Sequence, residues 1–242
     1  MTALLDPELI VAFLTLAALE IVLGIDNIIF LSIMSAKLPE KQQASARFWG
    51  LAGAMVTRIL LLLSLSWLAR LIEPLFQLFD HDISGRDLIL FCGGLFLIVK
   101  SVGELRAVMA GFEHEVKAGE KAAASFLTII VQIMILDIVF SLDSVITAVG
   151  MTNNLPVMIA AIVAAIIVMM FFSGPVSRFV EANPSIKILA LAFLVMIGVV
   201  LMLEGSGVHF SKAYVYVAMA FSSGVELLHL RMRRRMARRA AD

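Results

Sequence analysis

Cysteine, histidine and charged residues are scarce in this chain of 242 residues. It has 1 Cys and 4 His, and 16% of its residues are charged. The single cysteine, Cys92, cannot form an intrachain disulfide, so a disulfide framework is excluded. The sequence also lacks a His-Glu-x-x-His motif, a Gly-x-Ser-x-Gly motif and any nucleotide-binding motif. We therefore expect neither an enzyme nor a pump that uses ATP directly.

Apolar residues dominate instead. They make up 61% of the chain, against about 45–50% in soluble domains. An apolar run of about 20 residues can cross a bilayer as a helix, the form that satisfies an open backbone in lipid. The sequence predicts an all-α integral membrane protein with seven transmembrane helices, at roughly 8–34, 47–69, 87–105, 125–149, 155–173, 186–204 and 213–230. We expect the connections at or beside Pro39, Pro74, Pro156, Pro175 and Pro184.

The distribution of positive charge predicts the orientation. If the N-terminus lies outside, the outer segments hold only Arg70, Arg86 and Lys212, and Arg58 and Lys100 lie within spans. The other fourteen of the 19 Lys and Arg residues then fall inside. Because cytoplasmic segments carry the excess of Lys and Arg, we expect the N-terminus outside and the C-terminus inside. The first apolar run exceeds the core of a signal peptide, so we expect it to remain as a helix.

Two short segments resemble each other and place acids inside apolar runs. In the first, Glu20 is followed six residues later by Asp26 and then by Asn27. In the second, Asp137 is followed six residues later by Asp143 and then by Ser144. The predicted helices run in opposite directions, which is typical of transporters built from inverted repeats. Within a single transmembrane domain, 1–242, we expect a first repeat (8–105), a cytoplasmic connection (106–124), a second repeat (125–204), a seventh helix (213–230) and a basic cytoplasmic tail (231–242).

The residue types of these segments favour a cation site. An ionised carboxylate in hydrocarbon is costly and usually marks a transport path. Carboxylate, amide and hydroxyl oxygens suit Mg²⁺, Ca²⁺ or Mn²⁺, whereas Zn²⁺ and Cu⁺ usually require His or Cys. The predicted metal ligands are Glu20, Asp26, Asn27, Asp137, Asp143 and Ser144.

Two basic residues within spans balance part of this negative charge. Arg58 and Lys100 together offset two of the four acids, so one divalent cation would complete neutrality, and protons could replace it. Arg58 is either a structural counter-charge or a gating residue. Lys100 either extends towards the inner surface or pairs with Glu104. Secondary polar candidates are Ser141 and Gln132, and we expect Gln132 to form a hydrogen bond between helices. His209 is either a surface residue or a metal ligand on the exit side.

The geometry of the motif leaves two alternatives open. On a straight helix, Glu20, Gly24 and Asn27 share one face, and the equivalent set is Asp137, Ser141 and Ser144. The second acid of each motif then lies about 120° away from the first. Either the helices unwind near Gly24 and Ser141, so that both acids of a motif and the freed carbonyls reach one ion. Or the helices stay regular, with one acid per helix at the ion and the other paired with a cation or a proton.

These segments also resemble a known family. The residues Leu23 to Asn27, Leu136 to Val145 and Glu204 to His209 are similar to signatures of TerC-type membrane proteins, and the resemblance extends from about residue 8 to 230. That family includes manganese exporters and proteins linked to tellurium resistance, and it is related to the LysE transporter superfamily. The resemblance implies efflux of divalent metal cations, with Mn²⁺ as the leading substrate and the motif residues as its site. It also implies an alternative function, a membrane partner that assembles or metallates exported or membrane proteins.

The leading prediction is therefore a secondary transporter that exports Mn²⁺ and has no permanently bound cofactor. Its expected partners are the lipid bilayer and the transported metal ion, with a homodimer as a candidate assembly and no nucleic acid. Its expected location is the inner (cytoplasmic) membrane, as a multi-pass protein.

Overall fold

Seven long helices form the protein in the computed structural model, which describes residues 7–64, 71–78, 81–110, 126–152, 154–208 and 212–239. Every one contains a stretch long and apolar enough to cross a membrane, which confirms the predicted seven-helix class. The helices are α1 (Pro7–Ser35), α2 (Glu40–Leu63), α3 (Gly85–Met109), α4 (Phe126–Met151), α5 (Leu155–Ala182), α6 (Pro184–Gly205) and α7 (Lys212–Arg239).

The end of α5 differs from the prediction. We expected a connection at Pro175, but α5 continues through it to Ala182. Proline lacks the N–H that would bond to the carbonyl four residues earlier, and in water this usually ends or kinks a helix. Between membrane helices, neighbouring helices and Ser or Thr hydroxyls compensate for the missing bond. The placement of Pro184 was right, because it occupies the first turn of α6.

A short β-hairpin before α3 was not predicted. Strand β1 (Pro74–Leu78) pairs antiparallel with strand β2 (His81–Ser84), which leads directly into α3. The Ser84 hydroxyl accepts a hydrogen bond from the backbone N–H of Asp87, and the Asp87 carboxylate accepts one from the Ser84 N–H at 3.0 Å. This capping box satisfies two backbone donors at the start of α3. The hairpin therefore fixes the entry into the third helix.

The contacts between helices relate the two halves of the chain. The closest partners are α3 with α6, α1 with α5, and α2 with α4. Let each helix of the first half (α1, α2, α3) correspond to the helix at the same place in the second half (α4, α5, α6). The contact between α1 and α5 then corresponds to the contact between α4 and α2, and the contact between α3 and α6 corresponds to itself. This pattern fits two halves related by a pseudo-two-fold axis, and their inverted orientation across a bilayer stays a prediction. Helix α7 lies at the edge, mainly against α6.

Glycines bring the backbones of α3 and α6 close together. A Cβ atom added to Gly94 would lie 2.5 Å from the carbonyl oxygen of Gly198, and one added to Gly198 would lie 2.9 Å from that of Gly94. Small residues of this kind allow close approach between membrane helices, where dispersion and backbone contacts drive association. The α3–α6 crossing is therefore closely packed at the backbone level.

An ion pair joins the ends of two helices. Lys37, which follows α1, donates to the carboxylate of Glu104 near the end of α3. This contact places the C-terminal ends of α1 and α3 on the same side of the protein, as alternate crossings require. It also means that Glu104 pairs with Lys37 rather than with Lys100.

Cysteine labelling tests the predicted orientation. In a Cys92→Ala background, we expect a cysteine at position 82 in the exposed hairpin to react with a membrane-impermeant maleimide in intact cells whose outer membrane has been opened. A cysteine at position 37, which is also exposed, should react only after the inner membrane is permeabilised. The reverse result would overturn the assignment from the positive charges.

Candidate functional site

A buried arginine lies between the two repeated segments. Arg58 of α2, Glu20 of α1 and Asp137 of α4 are each only 3% exposed. Arg58 donates through Nη1 to Glu20, and through Nη2 and Nε to Oδ1 of Asp137 at 2.6 and 3.1 Å. One guanidinium therefore joins two carboxylates from different helices, an arrangement that the planar fork of arginine favours.

Asp137 accepts further hydrogen bonds from neutral side chains. Nδ2 of Asn27 donates to Oδ1 at 3.1 Å, and the hydroxyl of Ser141 donates to Oδ2 at 3.2 Å. The hydroxyl of Thr57 reaches the same Oδ2 at 3.4 Å. Thr57 was not among the predicted site residues. Its only sequence signal is a hydroxyl directly before Arg58 in an apolar helix.

Ser144 completes the described cluster. Its hydroxyl donates to the backbone carbonyl of Ser141 at 3.3 Å and also lies beside the Glu20 carboxylate. The structure thus brings together four of the six predicted ligands, Glu20, Asn27, Asp137 and Ser144. Arg58 and Ser141 lie in the same cluster, which we call the Arg58 cluster.

Both repeated segments stay helical, which decides between the two geometries. Helices α1 and α4 run without interruption through Gly24 and Ser141. The face predicted for a straight helix is the observed one, since Asn27 and Ser141 both contact Asp137. Gly24 serves close packing instead, because a Cβ atom there would overlap the side chain of Met169 on α5. Among the described side chains, each repeated segment contributes its first acid, Glu20 or Asp137, to the Arg58 cluster.

Asp26 and Asp143 lie on the same two helices, but their side chains are outside the described part of the structure. Six residues of helix separate each from the first acid of its motif, about 9 Å along the axis. Their role as metal ligands stays a prediction. His209 also falls outside the described residues.

Among the described contacts, none joins the remaining candidates, Lys100 and Gln132, to the Arg58 cluster. The ammonium group of Lys100 on α3 lies 5.6 Å from the centre of the Phe96 ring, a cation–π distance. Gln132 is half-buried on α4, and the described hydrogen bonds do not include an interhelical one from it. Among the described residues, Arg58 is therefore the basic residue that the structure places with the acids.

A small cavity adjoins the cluster. Asn27, Arg58 and Asp137 line it together with apolar side chains such as Ile133 and Met169. The space open to the centre of a water-sized sphere is about 10 Å³, close to the minimum for one water molecule. A hydrated ion does not fit this arrangement, and among the described residues no group of three His, Cys, Asp or Glu side chains converges. A cation could bind here only after the side chains move.

Comparison with known sequences identifies the family. The sequence profile of the integral membrane protein TerC family matches residues 5–241. The chain belongs to the TerC family. This confirms the resemblance predicted from the motifs over about residues 8 to 230.

Close relatives occur in bacteria. The chain is 56% identical over 231 residues to a UPF0053 protein of Haemophilus influenzae, with 96% of this chain and 97% of the relative covered. It is 54% identical to the UPF0053 inner membrane protein YgdQ of Escherichia coli, with 93% and 94% covered. It is 48% identical to the UPF0053 inner membrane protein YoaE of the same species, covering 98% of this chain and 46% of that longer relative. No solved structure matches.

These relatives also agree with the predicted location. Two of them are named inner membrane proteins, and the described helices include seven that can cross a membrane. The protein is a multi-pass protein of the inner membrane, embedded in the lipid bilayer.

Proposed function

We propose that this TerC-family protein is a secondary transporter, not an enzyme, that exports divalent cations, with Mn²⁺ as its leading substrate. One observation carries the proposal: Glu20 and Asp137, from the two repeated segments, are buried within membrane-spanning helices and share a single positive charge. Keeping two such carboxylates in a membrane is costly for packing alone. A transport role explains why the chain retains them.

The oxygen chemistry of the site supports a hard or borderline cation. Carboxylate, amide and hydroxyl groups of Glu20, Asn27, Asp137 and Ser144 lie within one cluster, and Asp26 and Asp143 follow on the same helices. Carboxylate and carbonyl oxygens suit Mn²⁺, Mg²⁺ and Ca²⁺. The cation would leave the cytoplasm, exchange water for these oxygens, and exit as the two halves move against each other. Protons are the natural counter-ion, because they can neutralise the same carboxylates.

Cellular manganese content tests the proposal. In a strain that depends on this protein under Mn²⁺ stress, Asp26→Asn or Asp143→Asn should raise cellular manganese severalfold, because each removes a charge from the cation path. Asp82→Asn in the exposed hairpin is the matched control and should leave the manganese content unchanged. Unchanged manganese in both site variants, at normal protein abundance, would count against the site.

Reconstitution separates transport from the alternative function. Purified protein in liposomes should carry Mn²⁺ without any partner protein, and proton movement should accompany it. Metal flux that is independent of protons would remove the exchange mechanism. An absence of flux across the divalent series would favour the alternative, a membrane partner that assembles or metallates other proteins.

A further inference from the structure

Arg58 occupies the carboxylate oxygens that a cation would need. Its three nitrogen donors contact Glu20 and Asp137 at once, and all three side chains are buried. A guanidinium and a metal ion both bind carboxylate oxygen, so they compete for the same lone pairs. We infer that Arg58 is a tethered competitor of the transported cation, so that binding of the cation and binding of Arg58 exclude each other. This inference rests on the proposed transport function.

The hydrogen bonds of Asp137 show why the two cannot bind together. A carboxylate offers about four acceptor positions on its two oxygens. Oδ1 already accepts from Arg58 and Asn27, and Oδ2 accepts from Ser141 with Thr57 at longer range. A cation must come within about 2.0–2.6 Å of its oxygen ligands. It therefore has to replace the guanidinium on Asp137.

The volume beside the cluster leads to the same conclusion. The adjoining cavity has room for about one water molecule, and Arg58 forms part of its wall. A metal ion with even part of its hydration shell needs more space than this. Withdrawal of the long Arg58 side chain would free both carboxylates and enlarge the cavity in one movement.

Charge explains why such an exchange is useful. If neither Arg58 nor a cation were present, two ionised carboxylates would remain buried without compensation, which is strongly unfavourable. Arg58 supplies one positive charge when the ion is absent, and a divalent cation supplies two when it is present. Return of Arg58 to Glu20 and Asp137 would then help to expel the ion. Arg58 would thus weaken cation binding but speed release.

Binding and flux measured on the same variants test this role. The full chain is purified into lipid nanodiscs and titrated with Mn²⁺, and the same preparations are reconstituted for flux. Arg58→Gln should lower the Kd for Mn²⁺ at least tenfold and slow Mn²⁺ turnover at least tenfold. Lys100→Gln is the matched control, since it removes a basic residue that contacts Phe96 rather than the acids, and it should change neither quantity. A structural role alone would lower the yield of folded protein without tightening Mn²⁺ binding.

Arg58→Lys covers the case in which Arg58→Gln does not fold. Lysine keeps the positive charge but cannot bridge two carboxylates with a planar fork. It should compete less well, and the Kd for Mn²⁺ should fall at least threefold. If the wild type binds and carries Mn²⁺ but the folded variants show an unchanged or higher Kd, the inferred role of Arg58 is overturned while the proposed transport function stands. An absence of Mn²⁺ binding and flux in all these proteins, including the wild type, would overturn the proposed function together with this inference.

Discussion

Arg58→Met should lower the free energy of unfolding by about 3–5 kcal/mol, the range measured when one partner of a buried ion pair is removed. Arg58 is the basic residue that the described structure places between Glu20 and Asp137, and all three are 3% exposed. Methionine fills much of the same apolar path along α2 but provides no donor. Both carboxylates would then be buried without a positive partner, and the cost of that charge would fall on the folded state.

Neutralising the acids in the same chain should restore most of the lost stability. Replacing a whole buried ion cluster with uncharged residues of similar volume is often neutral or stabilising. We therefore expect the triple variant Arg58→Met, Glu20→Gln, Asp137→Asn to unfold within about 1 kcal/mol of the wild type, an estimate from that comparison. It should carry no Mn²⁺, because two of the four acids proposed as ligands, Glu20 and Asp137, have lost their charge. Recovered folding without transport would show that the cluster is retained for function.

Unfolding of the purified chain in detergent, followed by circular dichroism, measures these differences. Lys100→Met is the control for removing a positive charge from a membrane helix. We expect a change below about 1 kcal/mol, because a single cation–π contact of this kind is weak. Mn²⁺ should also stabilise Arg58→Met more than it stabilises the wild type, since a ligand that binds only the folded state shifts unfolding. A single variant as stable as the wild type, or a triple variant no more stable than the single, would contradict the charge argument.

The sequence predicted the helices well because their signal is local. Every span is a run of apolar residues, and its length alone meets the requirement of a bilayer. The ends were less predictable, because α5 continues through Pro175, a residue that locally favours the end of a helix. The hairpin of β1 and β2 was missed because its two strands have only five and four residues. Strands this short show little alternation of apolar and polar residues, and they lie between two long apolar runs.

Most members of the candidate site were predictable from the sequence, but Thr57 and the contacts between the members were not. Repetition of an acid and a nearby polar residue identified Glu20, Asn27, Asp137 and Ser144, and helical spacing gave their shared face. That Arg58 joins the two acids depends on how α2 packs against α4, which the sequence of α2 alone does not encode. The same reason explains why Lys100, the other basic residue predicted within a span, lies elsewhere against Phe96.

Gly94→Val should destabilise the protein by about 3 kcal/mol, at the upper end of the cost of overpacking. The first added carbon would lie 2.5 Å from the carbonyl oxygen of Gly198 and 3.0 Å from the backbone nitrogen of Met202. Both are backbone atoms of α6, so a change of side-chain rotamer cannot relieve the contact. Helices α3 and α6, the closest pair in the fold, would have to separate along their crossing.

Gly103→Val on the same helix is the matched control, because a Cβ atom there meets nothing within 4 Å. The two variants make the same change in intrinsic helix preference, so the difference between their free energies of unfolding isolates the contact with α6. Denaturation in mixed micelles measures this difference, and Gly198→Val should resemble Gly94→Val, since its added carbon would lie 2.9 Å from the carbonyl oxygen of Gly94. Equal stabilities for the variants at positions 94 and 103 would mean that the α3–α6 backbones are not in close contact. In that case the two halves would be held together mainly by the contacts of α1 with α5 and of α2 with α4, which are next to the Arg58 cluster.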